Sequence, residues 1–301
     1  MRADTVALMR RYPFVTVDVF SSKPLAGNPL AVFTDARGLS DADMQSLARE
    51  MNLSETTFIF PRDAAIERER GVQVRIFTIA SELPFAGHPT LGTAYVLARA
   101  QSARRIVLDL KVGQVPVNFE HRDGLMFGEM TQRDPEFGKI HRAEDVSEAS
   151  GVPREAIDTS HPIQTVSTGV PFAIVPLKSI DAVRALRLDV ARAPAYLEKM
   201  GAFSFYFVTR DVEDKAARLH ARMQFIGGDD PATGSAAGCT AAWMVHTGIA
   251  QPEEQVMIEQ GIEANRPSQI FVRAAKDGDR IGNVRVGGHV AEVITGEATL
   301  P

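Results

Sequence analysis

Glu55 is the residue whose surroundings most favour chemistry. It sits in NLSETTFIF, between a helix that ends near Met51 and a strand heading into the core. A carboxyl group at the mouth of an apolar strand is partly desolvated, which raises its pKa toward the range used in general acid–base work. The plainer alternative is an exposed glutamate at a loop end. Asp230, in GDDPATGS, reads either as a turn residue before Pro231 or as a second acid–base group and acceptor for a substrate amine. His88, in FAGHPT, suits donation to a substrate, proton relay near neutral pH, or simple capping of its own helix. Asn28, in GNPLAVF, offers an amide that both donates and accepts, although Asn in such a turn also serves the turn itself.

Gly87–His88 and Gly234–Ser235 stand where two apolar helices are expected to begin. The first N–H groups of a helix have no internal partner, and the aligned peptide dipoles add partial positive charge there. Two such ends converging would hold an anion, a carboxylate by preference, without any lysine. Taken singly, each glycine needs only to make a tight strand-to-helix turn. A phosphate loop fits poorly, because no lysine follows Ser235 and Asp229 and Asp230 would repel phosphate. The chain has no HExxH and no CxxC, its histidines are scattered, and neither GxSxG nor GxGxxG follows a strand. No metal and no cofactor are therefore expected.

The two helix starts belong to a duplicated segment. RIFTIASELPFAGHPTLGTA (from Arg75) and RMQFIGGDDPATGSAAGCTA (from Arg222) align at an offset of 147, sharing Arg75/Arg222, Ile79/Ile226, Pro84/Pro231, Gly87/Gly234, Thr93/Thr240 and Ala94/Ala241. GNPLAVF and GVPFAIV repeat at an offset of 142. Two copies are too few for a solenoid. The expectation is two homologous domains, 12–130 and 131–301, facing each other across a cleft, with the last strand packing back on the first domain.

Strands are expected at Phe14–Phe20, Leu30–Phe33, Thr56–Phe60 and Val72–Thr78, with a helix capped by Ser40 over Asp41–Glu50. A helix over Pro89–Ala100 is apolar nearly all round and must be buried. The polar stretch TQRDPEFGK after Met130 is the linker candidate. The second half predicts strands within Thr165–Leu177, at Phe203–Thr209, Ala221–Ile226, Ile270–Ala274, Ile281–Val286 and Val290–Ile294. Helices are expected at Ser179–Leu186, Ala191–Met200 and Ser235–His246, the last closed by Gly248. Strands outnumber helices, so the class is α+β, each domain a curved, mostly antiparallel sheet around a central helix.

At 301 residues the chain exceeds one typical domain, and 45% apolar with 24% charged residues is ordinary globular composition. A net charge of −5 gives no footprint for nucleic acid or an anionic membrane, and no run of about 18 apolar residues exists. Met1 to Arg11 reads as a loose leader without a signal-peptide pattern, and a single cysteine, Cys239, fits a cytoplasmic setting.

DVFSSKPLAGNPLAVF (Asp18 to Phe33), NLSETTFI, ELPFAGHPTLGTA, GDDPATGSAAG and QGIEANRPSQI together resemble the PhzF-like (phenazine biosynthesis-like) family, within the diaminopimelate epimerase fold. The five motifs occur in the family's order from about Phe14 to Gly296. The resemblance implies barrel-like domains with the site between them, a homodimer, and cofactor-free isomerisation of a small carboxylate such as trans-2,3-dihydro-3-hydroxyanthranilate. It implies that Glu55 moves the proton and that His88, Asp230, Gly234 and Ser235 contact substrate; Gly87 and Asn28 join them as substrate-binding candidates from the reading of the residues. The two cysteines of the epimerase relatives match Ala86 and Thr233, so two-thiol chemistry is excluded. Two rivals stand beside this reading: the same mechanism on another small acid, and a non-catalytic binding homologue.

Overall fold

The alternating run FVTVDVF forms the inner part of β1 (Arg10–Val19), which pairs antiparallel with β2 (Asn28–Phe33). The computed structural model describes residues 9–122, 124–225 and 227–301. The expected leader up to residue 8, and Ile226 at the end of an expected strand, lie outside the described residues. Ser40 and Asp43 form a reciprocal capping box at the start of α1 (Asp41–Met51). Then follow β3 (Glu55–Phe60), α2 (Ala64–Arg70), β4 (Val72–Phe77), β5 (Glu82–Leu83), α3 (Gly87–Gln101), β6 (Arg105–Leu110), β7 (Gly113–Arg122) and β8 (Leu125–Thr131). The second half runs through β9 (Glu136–Ile140), α4 (Ala143–Ser150), β10 (Gln164–Ser167), β11 (Pro171–Pro176), α5 (Ile180–Arg184), α6 (Ala193–Met200) and β12 (Ser204–Thr209). It continues with β13 (Ala217–Phe225), β14 (Gly228–Asp230), α7 (Gly234–Thr247), β15 (Val256–Gln260), β16 (Ser268–Asp277) and β17 (Arg280–Leu300).

The class is α+β, and the sequence repeat has a counterpart in the pairing. From β1 to β7 the neighbours run antiparallel, parallel, antiparallel, parallel, antiparallel (β1–β2–β3–β4–β6–β7). The series β10–β11–β12–β13–β15–β16 repeats that succession. In the first half β8 and β17 complete a closed eight-strand barrel, β7–β8–β17–β1. In the second half β9 adds to β10, and among the described residues it makes no pairing with β16 or β17, so that sheet stays open. Each sheet wraps an apolar helix. Nearly every residue of α3 from Gly87 to Val96 is buried, as is α7 from Ala236 to Val245, which explains why neither carries a polar face. Outer layers cover the sheets: α1 over a Phe33–Phe58 stack with ring centroids 5.0 Å apart, and α4 to α6 over β11 and β12.

Three expectations change. The first strand stops at Val19, because Phe20 turns into the left-handed region at φ 65° while fully buried, a conformation rare for a bulky residue. The expected linker is structured: β9 occupies part of it, and the Gln132 N–H donates to the Val284 carbonyl at 2.8 Å. Finally, the strands expected at Ile281–Val286 and Val290–Ile294 are one 21-residue strand, β17. Gly287 and Gly288 look like a break in sequence but mark a crossing. A methyl on Gly287 would lie 2.5 Å from the Gly128 carbonyl oxygen, and one on Gly288 would lie 2.7 Å from the Phe20 ring. Because β17 pairs with β1, β8 and β16, one strand serves both halves.

Gly287→Ala should therefore lower stability by about 3 kcal/mol, the scale of overpacking against fixed backbone. Urea unfolding monitored by circular dichroism would check this, and a variant within 0.5 kcal/mol of the parent, roughly the surface-substitution range, would contradict it.

Candidate active site

The duplicated segments are matched hairpins that deliver two helix starts to one place. In the first hairpin Arg75 grips Glu82 with Nε and Nη2 at 2.8 and 2.6 Å; in the second Arg222 grips Asp229 at 2.8 and 3.0 Å. Such two-pronged bonds fix direction as well as distance, and each tightens the turn just ahead of its helix. The result is that α3 and α7 begin against each other. A methyl on Gly87 would lie 3.2 Å from the Ser235 amide nitrogen and 3.5 Å from the Gly234 Cα. The capping positions, Ala86 and Thr233, provide no side-chain bond to either helix. The opening N–H groups of Gly87, His88, Gly234 and Ser235 thus face one region with their partial positive charge.

Glu55 opens β3 opposite Leu30 of β2, as the sequence places it. Its Oε2 is sheltered from water, has no hydrogen-bond partner, and lies 3.4 Å from His88 Nε2, which is equally unpartnered. Burial pushes the Glu55 pKa up to about 8, and the negative charge of Asp230 adds to the rise. Asp230 is raised to about 6 by burial, against the pull of Thr233 and Asn28 hydrogen bonds. His88 is driven down to about 3 by burial, with the Pro29 carbonyl opposing weakly. At neutral pH the site therefore holds a protonated Glu55, an ionised Asp230 and an uncharged imidazole. Proton relay through a charged His88 near neutrality, one of the expected roles, is not what this environment favours, because the imidazolium would be buried beside a positive helix end.

Asn28 is fully buried at the head of β2 and donates through Nδ2 to Asp230 Oδ1 at 2.7 Å and to the Ala232 carbonyl at 3.0 Å. Its Oδ1 is buried without a partner. The seven residues singled out from sequence are thus brought together, through Glu55–His88, Asn28–Asp230 and Gly87–Gly234–Ser235. Among the described residues no group of His, Cys, Asp and Glu side chains could hold a metal ion. A cleft of about 330 Å³ on the outer side of β15 and β16, lined by Arg218, Met257 and Phe271, contains none of these groups.

Sequence reasoning assigned no role to the residues that clamp the site. Arg266 forms an ion pair with Asp18 and donates to the carbonyls of Gly27 (2.7 Å) and Ala26 (2.9 Å), tying the loop before Asn28 to the chain after β15. Gly27, at φ 71°, leaves no room for a side chain, since a methyl would lie 2.4 Å from the Val19 carbonyl oxygen. Gln132 donates to the Gly234 carbonyl at 3.0 Å from within the supposed linker. The fully buried His220 bridges Glu259 and Glu263, each at 2.9 Å. That bridge anchors the segment carrying Arg266. Arg266 and Glu263 fall in QGIEANRPSQI, so the motif signalled them, but their partners are far away in sequence.

A family model described as "Phenazine biosynthesis-like protein" matches residues 17–296. The chain is 35% identical to the trans-2,3-dihydro-3-hydroxyanthranilate isomerase of Pseudomonas aeruginosa, covering 97% of this chain and 100% of that protein. It is also 35% identical to an uncharacterized isomerase of Mesorhizobium japonicum, over 96% of this chain and 99% of the relative. Among solved structures, a PhzF-family phenazine biosynthesis protein of Bacillus anthracis superposes with a TM-score of 0.87 at 24% identity, covering 97% of this chain and 100% of that one.

The His220 bridge predicts an alkaline loss of stability. Its two carboxylate partners hold the imidazole pKa up at about 9, above the 6.5 of an unperturbed histidine. The bridge stabilises fully below pH 6.5, and its contribution is lost as pH rises toward 9. Between pH 7 and 8.5 the unfolding free energy should fall by about 1.4 kcal/mol per pH unit. Urea titrations in a Glu55→Gln background, which removes the other group titrating there, would measure it; a flat profile would contradict it.

Proposed function

The chain belongs to the phenazine biosynthesis-like family and is an isomerase, and we propose that it moves a proton within a small unsaturated amino or hydroxy acid, as the trans-2,3-dihydro-3-hydroxyanthranilate isomerases are named for doing. The observation that carries this reading is the sheltered, unpartnered Oε2 of the half-buried Glu55 beside His88, at one of two uncapped helix starts that meet. The N–H groups of Gly87, His88, Gly234 and Ser235 receive the substrate carboxylate, so no lysine is needed. Asp230 and the free Asn28 Oδ1 accept from the substrate amine or hydroxyl. Glu55 takes the proton from one carbon and returns it to another along the conjugated system; the enol so formed settles as the ketone tautomer.

A general acid–base group works best when its pKa lies near the operating pH, and about 8 suits Glu55 for both taking and returning. Burial keeps it mostly protonated at neutral pH. Burial is the larger cause of the rise, and a substrate amine beside Asp230 would offset the smaller one, that residue's charge, moving the Glu55 pKa downward as substrate binds. His88, kept neutral, stands 3.4 Å from Glu55 with a free Nε2, placed to hydrogen-bond the substrate rather than to carry charge. No metal or cofactor enters these steps. The family resemblance extends the reading to a homodimer, and the lone, buried Cys239 thiol accords with the cytoplasm.

A second reading keeps the mechanism but changes the small carboxylic acid, and the equally similar uncharacterized isomerase favours keeping it in view. Both predict that Glu55→Gln leaves the fold intact and reduces turnover to less than about a tenth, since general acid–base groups contribute 10²–10⁴-fold. Incubating wild type and variant with trans-2,3-dihydro-3-hydroxyanthranilate in heavy water tests this. Substrate loss with deuterium uptake only in wild type supports the proposal, and a variant retaining a tenth of the activity overturns the role of Glu55. A folded wild type that exchanges solvent deuterium into other small acids but leaves this substrate untouched favours the second reading.

A further inference from the structure

Asp230 ends a buried chain of hydrogen bonds that starts from a fixed backbone donor. Gln260 is fully buried, and its Oε1 accepts the Thr233 backbone N–H at 3.1 Å, a group that can only donate. Its Nε2 is thereby turned toward the Asp230 carbonyl at 2.7 Å and the Thr233 Oγ1 at 2.9 Å. The Tyr206 hydroxyl, also fully buried, donates to the same Oε1 at 2.8 Å. Thr233 Oγ1 accepts from Gln260 and donates its own hydrogen to Asp230 Oδ2, 2.7 Å away. From the other side Asn28 Nδ2, pinned by the Ala232 carbonyl, donates to Asp230 Oδ1. Both oxygens of Asp230 thus face donors. Hydrogen bonds donated to both oxygens favour the carboxylate over the acid.

We propose that Thr233 and Gln260 are positioning residues that hold Asp230 as an oriented, ionised acceptor for the donor group of the substrate. The inference rests on the isomerase reading above for what Asp230 meets, and on geometry alone for how Asp230 is held. Neither residue need touch the substrate: Gln260 is enclosed, and the single hydroxyl hydrogen of Thr233 is committed to Asp230. Thr233 stands where the resemblance puts a catalytic cysteine in the epimerase relatives. Here that position supports a carboxylate instead of transferring a proton itself.

Thr233→Val keeps the shape and removes the donated hydrogen, so Asp230 should become harder to ionise. The carboxyl carbon of Asp230, followed by carbon-13 NMR and assigned by its absence in Asp230→Asn, should titrate about one pH unit higher, a tenfold change in its proton equilibrium. Thr233→Ser should restore the original titration, and the acid limb of kcat/KM should move with it. Gln260→Met, of similar size, should shift the same limb upward, which keeps the test open if Thr233→Val does not fold. An Asp230 titration unchanged in every folded variant overturns the proposal. The NMR reading needs no substrate, so the two ideas separate. A shifted titration in a protein inert toward trans-2,3-dihydro-3-hydroxyanthranilate sinks that substrate and leaves the positioning role; turnover with an unmoved titration does the reverse.

Discussion

The closest constraint in this molecule is the meeting of two helix N-termini, with Gly87 and Gly234 backbone to backbone. Helix ends carry partial charge of the same sign, so their approach is unfavourable unless something negative lies between them. The nearby ionised Asp230 lessens that cost, and an anionic substrate would lessen it further. Much of the architecture exists to hold this contact. A closed barrel surrounds one helix and an open sheet wraps the other, paired arginine forks close the turns ahead of them, and β17 belongs to both halves. The Phe20 ring, held by an unusual backbone conformation, fills the space beside Gly234 and Gly288. A side chain at Gly87 would press on the opposing helix start and one at Gly234 on the Phe20 ring, so the two glycines of the duplicated segment are needed for different reasons.

The same burial sets the electrostatics. Three ionisable groups occupy one water-poor region, and each is displaced according to its own hydrogen bonds. Glu55 has no hydrogen-bond donor for its Oε2 and rises furthest toward the neutral form; Asp230 has donors on both oxygens and rises less; His88 loses its charge altogether. Two carboxyl groups with their pKa values pushed apart is a recurring arrangement for acid–base chemistry near neutrality. Here the difference comes from the unequal supply of donors around the two acids rather than from distinct residue types.

Much of the fold was legible from residue patterns. The alternation in FVTVDVF, the all-round apolarity of the two central helices, the Ser40 cap and the Gly248 stop, found at φ 76°, are local signals written within one turn or one strand. The misreadings share a cause. Gly287–Gly288 resembles a strand break, and the polar stretch after Met130, which does join β8 of the first half to β9 of the second, hides its own pairings, because sequence shows composition but not what passes alongside. Gly128 and Phe20 require those glycines, and Val284 gives Gln132 its backbone partner. The closed barrel of the first half and the open sheet of the second could not be distinguished either, since closure depends on which distant strand β8 and β9 meet.

By itself the sequence determined the duplicated device, the α+β class and the seven candidate residues, because each rests on residue type and short-range spacing. Only the tertiary structure decided their protonation states and the identity of their supports. Glu55 is neutral because burial disfavours its charge, and Asp230, 175 residues away, adds to that effect. Asp230 is held as an acceptor because Asn28, Thr233 and Gln260 converge on it from three separate segments. Desolvation and hydrogen-bond direction are properties of a place, and that place exists only once strands and helices distant in sequence have packed around it.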